Sequence, residues 1–332
     1  MALDFSSLHI LVVEDLTPMR QLTEQLLKAF GVGKISVAKD GIQAYEQYLR
    51  YAPDLIITDW QMPQADGIDL TNRIRREKSS PNRTIPIIMM TGFIDKSRID
   101  KARDSGVTEF IVKPFSAKDM AKRIEHITKS PRDFVVTNHY IGPSRRRKKN
   151  SDFNGTENRI AKTANIISDK KLLEEKIGRG EISLLAVERA EKVIETNTID
   201  FDPIAREFLD QLDKTIQLIQ SSNEYSMMSL ENLIYPIMQI KANARIFKYD
   251  LIGDLAAIML NFLNQVNAMD EFVLQIIIAH QRTVNHIINK KQKGKQGQTG
   301  QTLQEELEGA CKRYLKIKNQ ISQDQLKKTN TG

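Results

Sequence analysis

Residues 55–63 read LIITDWQMP, and this stretch decides the fold of the first part of the chain. The run from residue 55 to residue 58 is apolar or β-branched without polar alternation, which is typical of a parallel strand covered on both faces. Asp59 stands at the carboxyl end of this predicted strand, where open α/β sheets place their ligands. An aspartate in this position can also simply cap the next turn, so its partners elsewhere in the chain must decide its role.

Four more short apolar runs, separated by helical patterns, occur in the first part of the chain. They are residues 8–13, 35–38, 86–91 and 109–112. Thr17 as N-cap and Pro18 in the first turn predict the start of the first helix, and Ser116 with Asp119 predicts a capping box for the last. Strands that alternate with helices at this spacing predict a doubly wound α/β fold, in which a five-stranded parallel sheet carries helices on both faces.

Four of the five predicted strands end in polar residues, which should meet at one edge of the sheet. These residues are Glu14 with Asp15, Asp59, Thr91 and Lys113. Crowded carboxylates repel each other, and a hard divalent cation such as Mg²⁺ relieves that repulsion by taking oxygen ligands. With the cation bound, Asp59 can act as a nucleophile towards a phosphoryl group. Lys113 and Thr91 would then stabilise the charge on the phosphoryl oxygens.

The motifs around these residues resemble those of bacterial response regulator receiver domains. The matching segments are VED at 13–15, TDWQMPQADG at 58–67, MTG at 90–92 and FIVKPF at 110–115. The resemblance extends over about residues 7–129 and implies the flavodoxin-like receiver fold for a first domain of residues 1–129. It also implies that the chain is primarily a signalling protein of a two-component phosphorelay, with self-catalysed phosphorylation and slow dephosphorylation of its aspartate.

The resemblance assigns roles to the carboxylates at the predicted sheet edge. Asp59 would be the phosphoacceptor, and Glu14, Asp15 and Asp59 would hold Mg²⁺ together with the backbone carbonyl of Gln61. The phosphoryl donor would be a phosphohistidine on a sensor histidine kinase or on a phosphotransfer protein. Phosphorylation would change a surface that an output partner reads, and the sequence does not name that partner.

Three further residues complete the pocket that the resemblance implies. Thr91 and Lys113 would contact the phosphoryl group, and Phe110 would take the place of the aromatic switch residue. The bond between Lys113 and Pro114 is expected to be cis, as it is in the family. Phe110 also has a simple structural explanation, because an aromatic side chain in a strand often belongs to the core.

A basic connector follows, and we assign it to residues 130–158. Its run of Arg145, Arg146 and Arg147 resembles the arginine-rich extension of some bacterial receivers. In some relatives such extensions bind cyclic di-GMP, and arginine guanidinium groups form paired hydrogen bonds to phosphate and stack on purines. The interpretation that we favour is a solvated basic linker or a peptide that docks on its own receiver domain. Nucleic-acid binding is not expected from one short basic run without a recognition fold.

Helical patterns without strand signals occupy residues 159–290 and predict an all-α helical bundle as the second domain. Within it, residues 238–247 resemble the histidine phosphotransfer motif, with Met238 in place of the histidine and with Lys241 and Phe247 retained. Helical geometry places Met238 and Lys241 beside the core stripe, on a more exposed face. Methionine cannot carry a phosphoryl group, so the resemblance implies a degenerate phosphotransfer module. A generic four-helix bundle is the alternative.

Two histidines and the C-terminal segment leave further alternatives open. His280 is in register with an apolar stripe and is predicted to lie in the core, whereas His286 is off that stripe. An active phosphotransferase would need one of these two histidines as its phosphoacceptor. Residues 291–301 predict a flexible linker. Residues 302–327 predict an amphipathic helix that either packs on the bundle or forms a dimer with a second chain.

The composition of the whole chain excludes several classes of protein. With 332 residues, 40% hydrophobic and 27% charged, it is ordinary for a two-domain globular protein. No apolar run reaches the roughly 18 residues that a membrane span needs, and no secretory signal is visible at the start. A single cysteine, Cys311, excludes an internal disulfide framework and predicts a cytoplasmic protein. The net charge of +7 comes largely from local clusters, so it does not describe the whole surface.

Overall fold

A computed structural model describes residues 3–92, 96–129, 132–137, 140–144, 165–167, 170–178 and 180–329. The chain divides into two units, Met1–Thr198 and Ile199–Gly332. Among the described residues, no helix is both long enough and apolar enough to cross a membrane.

The first unit is built on a five-stranded parallel sheet in the order β2-β1-β3-β4-β5. Its strands are β1 (His9–Val13), β2 (Lys34–Ala38), β3 (Leu55–Asp59), β4 (Ile87–Thr91) and β5 (Glu109–Val112). The helices between and after them are α1 (Thr17–Ala29), α2 (Gly41–Tyr51), α3 (Gly67–Arg76), α4 (Lys96–Ser105) and α5 (Ala117–Lys129). Every residue of β1, β3 and β4 is buried, because helices cover both faces of the sheet. The predicted doubly wound, flavodoxin-like α/β fold is confirmed.

Local side-chain caps fix where two of these helices begin. Asp66 and Asp69 form a reciprocal capping box at the start of α3. Ser116 and Asp119 do the same before α5, with the Asp119 N–H 3.1 Å from Ser116 Oγ and the Ser116 N–H 3.0 Å from Asp119 Oδ2. Each box satisfies backbone donors that have no partner within the helix. The capping box predicted for the last helix is therefore confirmed.

The first helix begins one residue earlier than the sequence suggested. Leu16, not Thr17, is the N-cap of α1, and no side chain caps that end. The Thr17 hydroxyl instead accepts a hydrogen bond of 3.0 Å from Arg20. Pro18 lies in the first turn, where backbone N–H groups have no partner within the helix, so its lack of an N–H costs no hydrogen bond.

Three short strands and two helices extend the first unit well beyond residue 129. The strands β6 (Phe134–Val136), β7 (Ile141–Pro143) and β8 (Asn165–Ile167) form an antiparallel sheet in the order β7-β6-β8. The helices are α6 (Lys170–Ile177) and α7 (Leu184–Glu195), and α7 packs on both α1 and α5. The sequence placed residues 130–158 in a linker and started the helical bundle at 159. The structure instead divides the chain after Thr198, and among the described residues α7 packs on α1 and α5 of the first unit.

A buried arginine links the antiparallel strands β6, β7 and β8, here called the connector strands, to the parallel sheet. Arg75 of α3 is 0% exposed and donates three hydrogen bonds of 2.8–3.1 Å to main-chain carbonyl oxygens. The acceptors are Arg83, Ile85 and Gly106. Its guanidinium lies over the ring of Phe134 in β6, 5.0 Å from the ring centroid. Burial without a carboxylate partner lowers the pKa of Arg75 to about 9.

The second unit is entirely helical where the structure describes it, as predicted for this half. Its helices are α8 (Asp202–Ser222), α9 (Met227–Ala244), α10 (Asp250–Leu263), α11 (Glu271–Asn289) and α12 (Gly297–Thr329). Helix α9 packs between α8 and α10, α11 contacts the same two helices, and α12 lies against α10 and α11. Because α12 already begins at Gly297, the predicted flexible linker of residues 291–301 is shorter than expected.

One prediction for the second unit is wrong. Met238 was placed on a more exposed face of its helix, but it is 3% exposed and belongs to the core. The face is covered because α9 packs against two other helices rather than one. Lys241 is half-buried, and this burial, together with the nearby charge of Arg245, lowers the pKa of Lys241. The likeness of this helix to a phosphotransfer helix stays a prediction.

Candidate functional site

Three carboxylates meet at the carboxyl edge of the sheet. Asp59 is the last residue of β3, and Glu14 and Asp15 directly follow β1, which pairs with β3 so that Val13 lies opposite Thr58. One carboxylate oxygen from each of the three lies within 4.8 Å of the others. This register therefore produces the cluster of acidic groups that the sequence predicted at this edge.

Burial and mutual repulsion make this cluster costly in its ionised form. Glu14 is 0% exposed, and burial, followed by the charge of Asp59, raises the pKa of Glu14 to about 8. The same two causes raise the pKa of Asp15 to about 6. Glu14 Oε1 is buried with no hydrogen-bond partner among the described residues. A buried acceptor without a donor, beside two more carboxylates, is suited to a hard divalent cation.

Lys113 supplies the positive charge of the site. Its Nζ donates hydrogen bonds of 2.7 Å to Glu14 Oε2 and 2.9 Å to Asp59 Oδ2, and the residue is 2% exposed. Burial alone would lower the pKa of Lys113, but the charges of Asp59 and Glu14 outweigh it and raise that pKa above its usual value. One ammonium against three carboxylates leaves a net negative charge, which a divalent cation such as Mg²⁺ would balance.

Thr91 lies on the neighbouring strand, one residue beyond Met90, the register partner of Asp59. It is buried, and its carbonyl oxygen accepts a hydrogen bond of 2.7 Å from the N–H of Lys113. The bond between Lys113 and Pro114 is cis, as predicted. The structure thus places Thr91, at the end of β4, beside Lys113, which directly follows β5.

Phe110 lies in β5, three residues before Lys113, and is half-buried. It packs against a core cluster of five residues. The cluster consists of Trp60, Ile68, Met89, Ala102 and Val107. Phe110 therefore contacts a cluster that joins the residue after Asp59 to helix α4.

Two features of the Asp59 loop were not identified from the sequence. Asp59 Oδ1 accepts a hydrogen bond of 2.7 Å from the N–H of Trp60, which orients the carboxylate. Gly67 lies against the carbonyl of Asp59 so closely that a Cβ at residue 67 would be 2.3 Å from that oxygen. The Asp66-Gly67 pair was interpreted only as the turn into α3, although a glycine at a strand–helix junction also permits a close backbone approach.

We expect Gly67→Ala to destabilise the first unit by about 1–3 kcal/mol, because the methyl group must displace backbone rather than a flexible side chain. Trp60 is the single tryptophan of the chain, so its fluorescence during urea unfolding reports on this unit alone. Gln21→Ala serves as the control, since Gln21 is exposed on α1 of the same unit. Equal unfolding midpoints for the two variants would contradict the prediction.

Four of the predicted site residues are not tested by the structure. Arg145, Arg146 and Arg147 lie outside the described residues. The role of the Gln61 carbonyl as a metal ligand stays a prediction. Of the two histidines, His280 is buried in α11 and is the core residue that the sequence predicted, and His286 is exposed on the same helix.

The response regulator receiver domain family matches residues 10–125. Chemotaxis protein CheY-3 of Vibrio cholerae is 32% identical over 121 residues, which are 36% of this chain and 92% of that protein. Chemotaxis protein CheY of Pseudomonas aeruginosa is 32% identical over 120 residues, again 36% of this chain and 95% of the relative. This chain belongs to the response regulator receiver family. The receiver is thus homologous to CheY-type response regulators, which is consistent with a place in a phosphorelay.

The chain also resembles solved structures of response regulators. The chemotaxis protein CheY4 of Vibrio cholerae has 25% sequence identity and a TM-score of 0.34, over 36% of this chain and 98% of that chain.

Proposed function

We propose that this chain is a phosphorylation-controlled response regulator in which Asp59 accepts a phosphoryl group from a phosphohistidine. The observation that supports the proposal is the cluster of Glu14, Asp15 and Asp59, with oxygens within 4.8 Å of one another and Lys113 bonded to two of them. Purely structural carboxylates gain no stability from such crowding, since the charge of Asp59 helps to raise the pKa of both Glu14 and Asp15. Binding of a cation and a phosphoryl group would explain why these carboxylates lie so close together.

Each residue of the receiver site would have a separate role in phosphoryl transfer. An Asp59 oxygen attacks phosphorus while the bond from phosphorus to the donor imidazole breaks and the imidazole nitrogen keeps its electron pair. Lys113 and the Thr91 hydroxyl would bind the phosphoryl oxygens as negative charge concentrates there. Glu14 and Asp15, with the Gln61 carbonyl, would hold Mg²⁺, which when bound neutralises charge on the carboxylates and the phosphoryl group. The donor is a sensor histidine kinase or a phosphotransfer protein.

A route by which the phosphorylated receiver would change its surface runs through Phe110 and helix α4. Phe110 packs against Ala102 of α4 and Val107, just beyond the end of that helix. Gly106, between them, approaches β7 so closely that a Cβ there would be 2.6 Å from the carbonyl oxygen of Ile141. If Thr91 moves towards the phosphoryl group, Phe110 can shift and α4 with it. The connector strands would then transmit the change to an output partner.

The experiment that tests this function is Mg²⁺-dependent labelling with acetyl phosphate, read by intact-mass spectrometry. We expect labelling in Mg²⁺ and none in EDTA. Mg²⁺ should also change the fluorescence of Trp60, which adjoins Asp59. Asp15→Asn should weaken Mg²⁺ binding on the order of tenfold, because the cation loses one charged ligand.

The matched control is Asp100→Asn, which removes a surface carboxylate paired with Arg103 on α4. Its Mg²⁺ affinity should equal that of the unchanged chain. Labelling that persists at full extent in EDTA, or an Asp15→Asn affinity that matches the control, would contradict the proposed site.

A further inference from the structure

The second unit contains a large apolar cleft between α11 and α12. Its volume is about 820 Å³, and its walls come from α10, α11 and α12. The apolar side chains along it include Leu255, Ile276, Ala279, Leu303, Leu307 and Ile317. Small-molecule sites have volumes of roughly 300–1,000 Å³ and are mostly apolar with a few polar groups. The cleft is of that size and that chemistry.

Large apolar side chains at the cleft remain open to solvent. Phe272 is 72% exposed and Ile317 is 56% exposed, although both line this concave surface. The stripe of α12 that was predicted to pack on the bundle or on a second chain faces the cleft and leaves it unfilled. Large apolar side chains exposed on a concave surface are typical of a binding site, and the cleft has both features.

A buried polar group in the cleft lacks a partner. His280 borders the cleft and is 2% exposed, and neither Nδ1 nor Nε2 has a hydrogen-bond partner among the described residues. Both nitrogens are buried, so a ligand that bonds one of them must displace a side chain of the cleft wall. Burial lowers the pKa of His280 to about 4, so the imidazole is neutral and presents one donor and one acceptor. Each such unsatisfied group costs about 1–3 kcal/mol. Ile276 and Thr283, one turn before and after on α11, also line the cleft.

The charges at the cleft do not favour an anionic ligand. Three carboxylates, those of Asp270, Glu271 and Glu306, line it against two cations, Arg313 and Lys318. Lys318 lies 2.8 Å from Asp270, and the Tyr314 hydroxyl donates to the same carboxylate at 2.8 Å. These bonds hold α12 to the start of α11. They also leave the cleft without excess positive charge.

We propose that this cleft binds a neutral, largely apolar small molecule that carries one hydrogen-bonding group for His280. The apolar walls supply most of the affinity, and the imidazole selects a ligand with an O–H, N–H or carbonyl group over a pure hydrocarbon. The site lies wholly in the second unit and does not depend on the phosphorylation proposed for the receiver. It gives the helical unit a ligand-sensing role of its own.

The probe for this site is N-phenyl-1-naphthylamine, a neutral aromatic amine whose fluorescence rises in apolar surroundings. Titrated into the full chain, it should bind with a saturable increase in fluorescence. His280→Leu should weaken binding about tenfold, the equivalent of one hydrogen bond. His286→Leu is the matched control on the exposed side of the same helix and should bind as the unchanged chain does.

A second variant keeps the imidazole and fills the cleft. Ala279→Trp places a large ring on the wall of the cleft at an exposed position of α11. It should weaken probe binding at least about tenfold by volume alone. Circular dichroism of each variant checks that the helices remain.

Competition between two lipids of equal chain length tests the chemical class. 1-Dodecanol should displace the probe, and dodecanoate should need a concentration about tenfold higher or more, because its charge meets three carboxylates. Equal displacement by the two would overturn the neutral class. No saturable binding, or unchanged affinity in Ala279→Trp, would overturn the site. Unchanged affinity in His280→Leu would overturn the assigned hydrogen bond.

Discussion

Asp59→Asn should abolish phosphoryl labelling of the chain by acetyl phosphate in the presence of Mg²⁺. Asp59 is 4% exposed, its Oδ1 accepts from the Trp60 N–H and its Oδ2 accepts from Lys113, so the carboxylate is held in one orientation at the sheet edge. An amide in its place keeps the shape but loses the nucleophilic oxygen and the charge. The measurement is intact-mass spectrometry after incubation with the phosphodonor.

The control for this prediction is Asp54→Asn, which changes a carboxylate next to the opposite end of the same strand. Asp54 bonds the N–H of His9 and the ammonium of Lys176, and it takes no part in the acidic cluster. Labelling of Asp54→Asn should equal that of the unchanged chain. Undiminished labelling of Asp59→Asn would show that another side chain is the acceptor, and peptide mapping would then have to examine Glu14 and Asp15.

Lys113→Met should lower the free energy of unfolding of the first unit by about 3–5 kcal/mol in the absence of Mg²⁺. The substitution keeps the apolar stem but leaves Glu14 and Asp59 buried beside each other without the ammonium that bonds both. Saturating Mg²⁺ should recover part of the loss, by about 2.7 kcal/mol at one hundred times its dissociation constant. Urea unfolding followed by Trp60 fluorescence measures both effects.

Lys118→Met provides the matched control, because Lys118 is exposed at the start of α5. Its unfolding midpoint should stay within the scatter of the unchanged chain. A loss below about 1 kcal/mol for Lys113→Met would be the size of a surface ion pair and would mean that the three carboxylates do not depend on the ammonium.

The sheet and its acidic edge could be predicted from the sequence because both are local patterns. Buried parallel strands are continuous apolar runs, and the residue that follows each run is fixed at the sheet edge without further information. Asp59 and Lys113 are therefore placed by their strands. Gly67 could not be placed in this way, since its closeness to the Asp59 carbonyl depends on how the loop returns to α3.

The connector and the limits of the units depend on contacts between distant parts of the chain. A strand of three residues, such as β6 or β7, is too short to show a hydrophobic period. Helix α7 has the pattern of any amphipathic helix, and nothing in that pattern says that it packs on α1 and α5. The depth of Met238 was missed for the same reason, because burial on two sides requires two partner helices.

The packing of α7 determines where a stable fragment of the first unit must end. A fragment cut after Lys129 would match the length of its chemotaxis relatives, yet it would strip α1 and α5 of their neighbour and leave Arg75 without the ring of Phe134. Such a fragment should aggregate or unfold at a lower temperature, whereas one that ends at Thr198 keeps α7 packed over α1 and α5. Borrowing domain limits from single-domain homologues would therefore produce a misleading measure of how stable the receiver is.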